Sequence, residues 1–129
     1  MKNNYIFPAI FNKEEDGYNV SFPDLSGAFT CGEDFEEALY MAKECLEIYL
    51  EDMKDIPKVG DLEYIKLGKN DTIVMVEADL IAFRKKYNNQ SVKKTLTIPK
   101  WLNDLGIEKH VNFSALLKSA LMKELEVNS

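Results

Sequence analysis

The chain has 129 residues, 46% of them hydrophobic and 29% charged, which suits one globular domain or two small ones. No run of about 18 apolar residues is present, so no membrane helix is expected; "MKNNYIFPAIF" is too short an apolar stretch for a signal peptide and lacks a cleavage site, so a cytoplasmic location is expected. The net charge of −6 is uneven: residues 1–80 carry 7 Lys and no Arg against 18 Asp and Glu, a net of −11, while residues 81–129 carry 9 Lys and Arg against 4 Asp and Glu, a net of +5. This asymmetry suggests two modules with different partners, a basic partner for the acidic body and a polyanion for the tail.

In chain order, "NYIFPAIF" (residues 4–11) reads as a strand, with Pro8 suggesting an edge position or a bulge. "EEDG" is a turn. Tyr18, Val20 and Phe22 then alternate with Asn19 and Ser21 in a second strand that Pro23 ends, and "SGAFTCG" supplies a short third, giving an antiparallel meander. Asp34 is placed to cap a helix, with Glu37 completing a capping-box pattern. Phe35, Ala38, Leu39, Ala42, Cys45, Leu46, Tyr49, Leu50 and Met53 form one apolar stripe, and Glu36, Glu37, Lys43, Glu44, Glu47, Glu51 and Asp52 a wet face. Pro57 and Gly60 stop this helix. Ile73 to Val76 reads as the central strand of the sheet, and "LIAFRKKYNNQS" as a short helical or irregular connector.

The remaining residues read as strand, helix, helix. In "SVKKTLTIPKWL", Val92, Leu96 and Ile98 point one way and Lys93, Thr95 and Thr97 the other. Pro99 can begin a helix carrying Trp101, Leu102 and Leu105, "GIEKHV" interrupts it, and Asn112 is a good N-cap for a second helix with Phe113, Leu116, Leu117, Ala120, Leu121 and Leu125 on one face. The two expected modules are residues 1–88 and 91–129.

The chain offers no assembled catalytic set. His110 is alone and sits in a loop; Cys31 and Cys45, expected as buried thiols rather than a disulfide, do not make a zinc site with it; and no Gly-rich phosphate loop precedes a helix. Asp24, Glu37, Asp71 and Asp79 could converge on a metal only by accident of an acidic composition. No enzyme activity, cofactor or metal is expected. Binding is better supported. A module of some forty residues has too little core to fold alone, and its single strand has unpaired edges. Both problems vanish if two chains pair: the strands form an antiparallel ribbon and the helix stripes pack across a two-fold axis through Leu96, Ile98, Trp101, Leu117 and Leu121. The ribbon then presents Lys93, Thr95 and Thr97, and such a ribbon fits the DNA major groove. Lys94 and Lys100 would add phosphate affinity, and the helix start at Asn112 to Ser114 offers free N–H groups to a phosphate. A plain dimerisation ribbon without DNA is the alternative.

"TLTIPKWL…VNFSALLKSAL" resembles the ribbon-helix-helix repressors, although "KHV" stands where a glycine is common before the second helix. "DGYNVSFPDLSGAFTCGEDFEEALYMAKECLEIYLE", with its FPDL-x-G turn, Thr30 and Gly32, and Glu37 and Ala38, resembles the HicB antitoxin family. The resemblance implies an α+β protein: a reduced, inactive RNase H-like sheet with one long helix, then a ribbon-helix-helix. It implies a HicA-like mRNA-cleaving toxin as partner, held by the acidic module, where Phe22, Pro23, Asp24 and Glu33 are the expected contacts. It also implies repression of the protein's own operon by a homodimer, or a higher oligomer, on operator DNA. The rivals are a free-standing regulator whose N-terminal module senses a small molecule, and an active RNase H-like nuclease.

Overall fold

The computed structural model describes residues 2–127, and the chain divides into two compact units between Gln90 and Ser91. The first contains strands β1 (Asn4–Glu14), β2 (Gly17–Ser21) and β3 (Phe29–Gly32), helix α1 (Phe35–Glu51), a 3-10 turn (Leu62–Tyr64), strand β4 (Asp71–Asp79) and helix α2 (Leu80–Tyr87). The strands form one antiparallel sheet in the order β3-β2-β1-β4. Phe7, Ala9 and Phe11 of β1, Val20 of β2, and Val76 and Ala78 of β4 are buried on one face, against Ala38, Ala42, Leu46 and Leu50 of α1. The alternation and the 3.6-residue stripe meet in one core, as period-2 and period-3.6 patterns must when a helix lies on a sheet.

Sheet order departs from two expectations. The apolar run Ile73 to Val76 lies in β4, an edge strand, whereas β1 is central. β4 is apolar because it packs under α1 and beside β1, not because strands flank it. Pro8 is buried in the central strand without a bulge in its pairing with β4. Leu80 donates its N–H to Asn3 O and Lys13 donates to Asn70 O, so the alternate residue pairs, including Pro8 with Met75, exchange no ladder bonds. The nitrogen of Pro8 therefore faces the β2 side, where β2 pairs only with Ile10 to Glu14. The missing N–H costs no bond in either ladder.

Asp34 caps α1 as expected: its carboxylate accepts the Glu37 N–H at 2.7 Å, while the Glu37 carboxylate accepts from the N–H of Glu33. Gly32 meets this helix start so closely that a Cβ there would lie 2.6 Å from Ala38 Cα, and nearer still to Ala38 N. Glu47, expected on the wet face, is 8% exposed. Its Oε2 accepts the Asp79 N–H at 2.9 Å and pairs with Lys43 Nζ at 3.2 Å, so burial is tolerated because the carboxylate is bonded and paired. Arg84 of α2 donates Nε to the Glu51 carboxylate at 2.9 Å and Nη1 to Asn3 at 3.1 Å. Arg84, Lys85 and Lys86 thus lie in the first unit. Its charge is −8, and residues 91–129 carry six lysines against four carboxylates, +2.

The second unit contains α3 (Lys100–Glu108) and α4 (Phe113–Glu124). Helix α3 runs through Gly106, Ile107 and Glu108, further than the expected interruption. His110 ends it at φ 56°, with Val111 N–H bonded to Gly106 O and His110 N–H to Ile107 O. This is a Schellman cap with histidine at the left-handed position usually held by glycine, which explains how "KHV" makes the turn. Gly106 is needed for space: a Cβ there would lie 2.6 Å from the Phe113 ring. Ser91 to Pro99 forms no strand within the chain, and none of residues 91–127 is buried.

Candidate functional site

After β2 the chain folds into a tight knot. Phe22 donates its N–H to Ala28 O, Leu25 to Phe22 O, and Ala28 to Leu25 O. Phe22 and Leu25 are both buried beneath it. Phe22 is 3% exposed, so its ring supports the turn from below and offers no surface to a partner. Pro23 is exposed. Asp24 is half-buried, accepts the Gly60 N–H on Oδ1 at 3.1 Å, and leaves Oδ2 buried without a partner; it ties the Asp52–Asn70 connection to the turn. Glu33 is exposed just past β3. Since Phe29 pairs with Ser21 at the knot end and Gly32 with Tyr18 at the other, Glu33 lies at the opposite end of the hairpin from Pro23 and Asp24.

Between the free edge of β3 and helix α1 runs a groove of about 560 Å³, lined along the strand by Gly27 to Thr30, along the helix by Met41, Glu44, Cys45, Ile48 and Tyr49, and just past its end by Asp52 and Met53. Tyr49 fixes one wall by donating its hydroxyl to Ser26 O at 2.6 Å. The Cys45 thiol reaches Phe29 O at 3.7 Å, and burial raises its pKa above 9.0. Sequence reasoning missed Met41 and Ile48. The signal was present: two apolar residues seven apart, outside the core stripe of α1, mark a second apolar line on the same helix.

In the second unit Lys93, Lys94, Thr95 and Thr97 are exposed in the segment before α3. Lys100 pairs with Asp104 at 2.7 Å, both exposed. Asn112 caps α4, accepting the Ala115 N–H at 3.0 Å; its side chain is committed to the helix, and Ser114 is exposed in the first turn. Leu96, Ile98, Trp101, Leu117 and Leu121 are all exposed, Trp101 to 67%.

Among the described residues no group of three or more His, Cys, Asp or Glu is placed to hold a metal ion, and no helix is long and apolar enough to cross a membrane. His110 is exposed and serves backbone geometry. Cys31 is an exposed free thiol rather than a buried one. Asp71 is held below its ordinary carboxylate value of 3.8 by the Asn12 side chain and by the Gly68 N–H; the first bond clamps the start of β4 to β1 and the second closes the turn before β4.

These features define a two-unit α+β protein: an acidic sheet-and-helix unit with a grooved strand edge, and a small helical unit that exposes its apolar side chains. The model of the HicB-like antitoxins of bacterial toxin–antitoxin systems matches residues 7–124, and the chain belongs to that family. It is 33% identical over 101 residues, 73% of each chain, to the 14.9 kDa protein of the rep-hol intergenic region of Haemophilus phage HP1. It is 41% identical over 61 residues to antitoxin HicB 2 of Photorhabdus laumondii, a match spanning 44% of each chain. A chain of a toxin–antitoxin complex from Streptococcus pneumoniae is similar with a TM-score of 0.58 and 30% identity, over 94% of this chain and 99% of that one.

Proposed function

We propose that this protein neutralises a HicA-like mRNA-cleaving toxin through its N-terminal unit and represses its own operon as a dimer through its C-terminal unit. Membership in the antitoxin family supports the first half. The strand order with a single covering helix supports describing the N-terminal unit as a reduced RNase H-like fold, and its charge of −8 suits a basic toxin.

The second half rests on one observation: residues 91–127 contain no buried residue, yet expose Trp101 and a line of leucines on α3 and α4. Full burial of each such side chain is worth about 1.5–3 kcal/mol, so a two-fold partner supplies the core that one chain lacks. The same pairing turns residues 91–99 into a ribbon-helix-helix strand pair, with Lys93, Thr95 and Thr97 of each chain facing the major groove. Lys94 and Lys100 reach phosphates; the exposed Lys100–Asp104 pair, worth about 0.2–1 kcal/mol, does not hold Lys100 back. The amides at the α4 start, Phe113 and Ser114, remain for a phosphate because Asn112 occupies that of Ala115.

The test is co-expression with a neighbouring small basic protein, scored by growth rescue and co-purification. Removing Val92 to Ser129 should abolish dimerisation and operator binding. Replacing Lys93 and Thr95 by alanine should weaken operator affinity about tenfold or more, since a good base contact is worth about 1–3 kcal/mol, and leave toxin binding intact. Normal operator binding by the truncated chain would refute the ribbon; loss of toxin binding by the double variant would show that the two tasks are divided wrongly.

A further inference from the structure

We infer that the β3 edge and the α1 groove beside it form the toxin's docking site, which takes a strand from the toxin as a fifth strand of the sheet. The inference rests on the reading of the protein as an antitoxin and names the surface of the first unit that does the work.

The backbone geometry comes first. Phe22 and Ala28 are joined by a ladder-type bond at the knot end of the hairpin. Alternation along β2–β3 then turns the N–H and C=O groups of Thr30 and Gly32 toward β2, and those of Phe29 and Cys31 toward solvent. Among the described residues, the Phe29 carbonyl is met by the Cys45 thiol alone. At the opposite edge of the sheet the outward groups near the end of β4 are taken: Lys43 donates to Glu77 O at 3.1 Å and Asp79 N–H donates to Glu47. Helix α1 therefore closes the end of one sheet edge with a salt-bridged pair and leaves the other open. The open edge is short, but it carries no lysine, proline or bulge to block strand addition.

The side chains match. An added strand would lie on Met41, Cys45 and Ile48 of α1, and Phe29, 73% exposed on the sheet's other face, would gain a neighbour. Strand addition draws affinity from main-chain bonds and specificity from such pockets. The charges choose the occupant. Glu44 and Asp52 line the groove, Glu33 stands at the far end of β3, and no Lys or Arg lines it. A second copy of this unit would bring like charge against like; a basic strand-bearing protein brings the complement.

The experiment measures, by calorimetry with the full-length chain, affinity for the HicA-like toxin that co-expression rescue identifies. Cys31→Pro removes an outward N–H without touching the β2 ladder. Ile48→Lys places a cation in the groove at a half-exposed position that cannot threaten the core. Cys31→Ser is the control. Cys31→Pro and Ile48→Lys should each lower toxin affinity at least tenfold, with operator affinity within twofold of wild type; Cys31→Ser should behave as wild type. Wild-type affinity in both variants overturns the inference. Should Cys31→Pro unfold the unit, Ile48→Lys decides alone. A variant that changes the oligomeric state but not toxin affinity would assign the groove to a second copy and equally overturn it. Absence of toxin binding by the wild type would instead refute the antitoxin reading itself, and the inference with it.

Discussion

Gly32→Ala is the sharpest test of how the first unit is built. The backbone of Gly32 is not in the left-handed region, so the substitution is a question of space. A Cβ at 2.6 Å from Ala38 Cα must reach at least 3.4 Å to make an ordinary contact, so the start of α1 must move about 1 Å. The obstacle is helix backbone, which no rotamer change relieves. Overpacking of this kind costs about 1–3 kcal/mol. The upper end applies here, because Ala38 and Ala42, both fully buried, leave the sheet with the helix. Replacing glycine in a strand returns about 0.5–1 kcal/mol of backbone entropy, so the expected net loss is about 2 kcal/mol. For a unit of this size that lowers the melting temperature by about 8–16 °C. All six tyrosines lie in the first unit and the one tryptophan, Trp101, in the second. Tyrosine dichroism should therefore report the lowered transition while Trp101 fluorescence does not move. Adding Ala38→Gly should not rescue, because the clash is with backbone. A tyrosine transition within about 2 °C of wild type, or rescue by Ala38→Gly, would refute the close approach of β3 and α1.

Three further outcomes follow from the geometry. His110→Gly removes a left-handed strain of about 1–2 kcal/mol and should raise the melting temperature of the second unit at fixed protein concentration; a lower one would mean that the imidazole has a partner. Glu47→Ala orphans the part-buried Asp79 N–H and should cost about 1 kcal/mol or more in urea unfolding, whereas Glu47→Gln keeps an acceptor and should cost less; equal losses would mean that the Lys43 charge pair, not the hydrogen bond, holds the β4 end. Asp71 has a folded pKa below 3.8, so its contribution is full above that value and is lost as pH falls through the lower folded value. The stability difference between wild type and Asp71→Asn should accordingly shrink as pH drops below about 4 and stay constant above it; a difference unchanged into the acid range would refute the clamp.

The amino-acid order alone determined the local elements and their faces. The alternation of β1 and β2, the stripe and cap of α1 and the Asn112 cap are written in neighbouring residues, because side-chain period and capping are short-range physics. The family likeness, carried by the FPDL turn, Thr30, Gly32 and the helix start, was legible for the same reason. What only the tertiary structure decided is non-local. The sequence placed Ile73 to Val76 at the centre of the sheet, but strand order depends on where a nineteen-residue connection, Asp52 to Asn70, returns the chain, and it put β4 at an edge. Glu47 looked wet because its partners, the Asp79 amide and the β4 end, lie some thirty residues away. The charge division groups Arg84, Lys85 and Lys86 with the basic tail although they precede the module boundary; α2 carries them in the acidic unit. The open β3 edge could not be read at all from β3 itself: four residues of strand look alike whether a neighbour covers them or not, and only the folded sheet, with α1 closing the end of β4 and overhanging β3, leaves that one edge free.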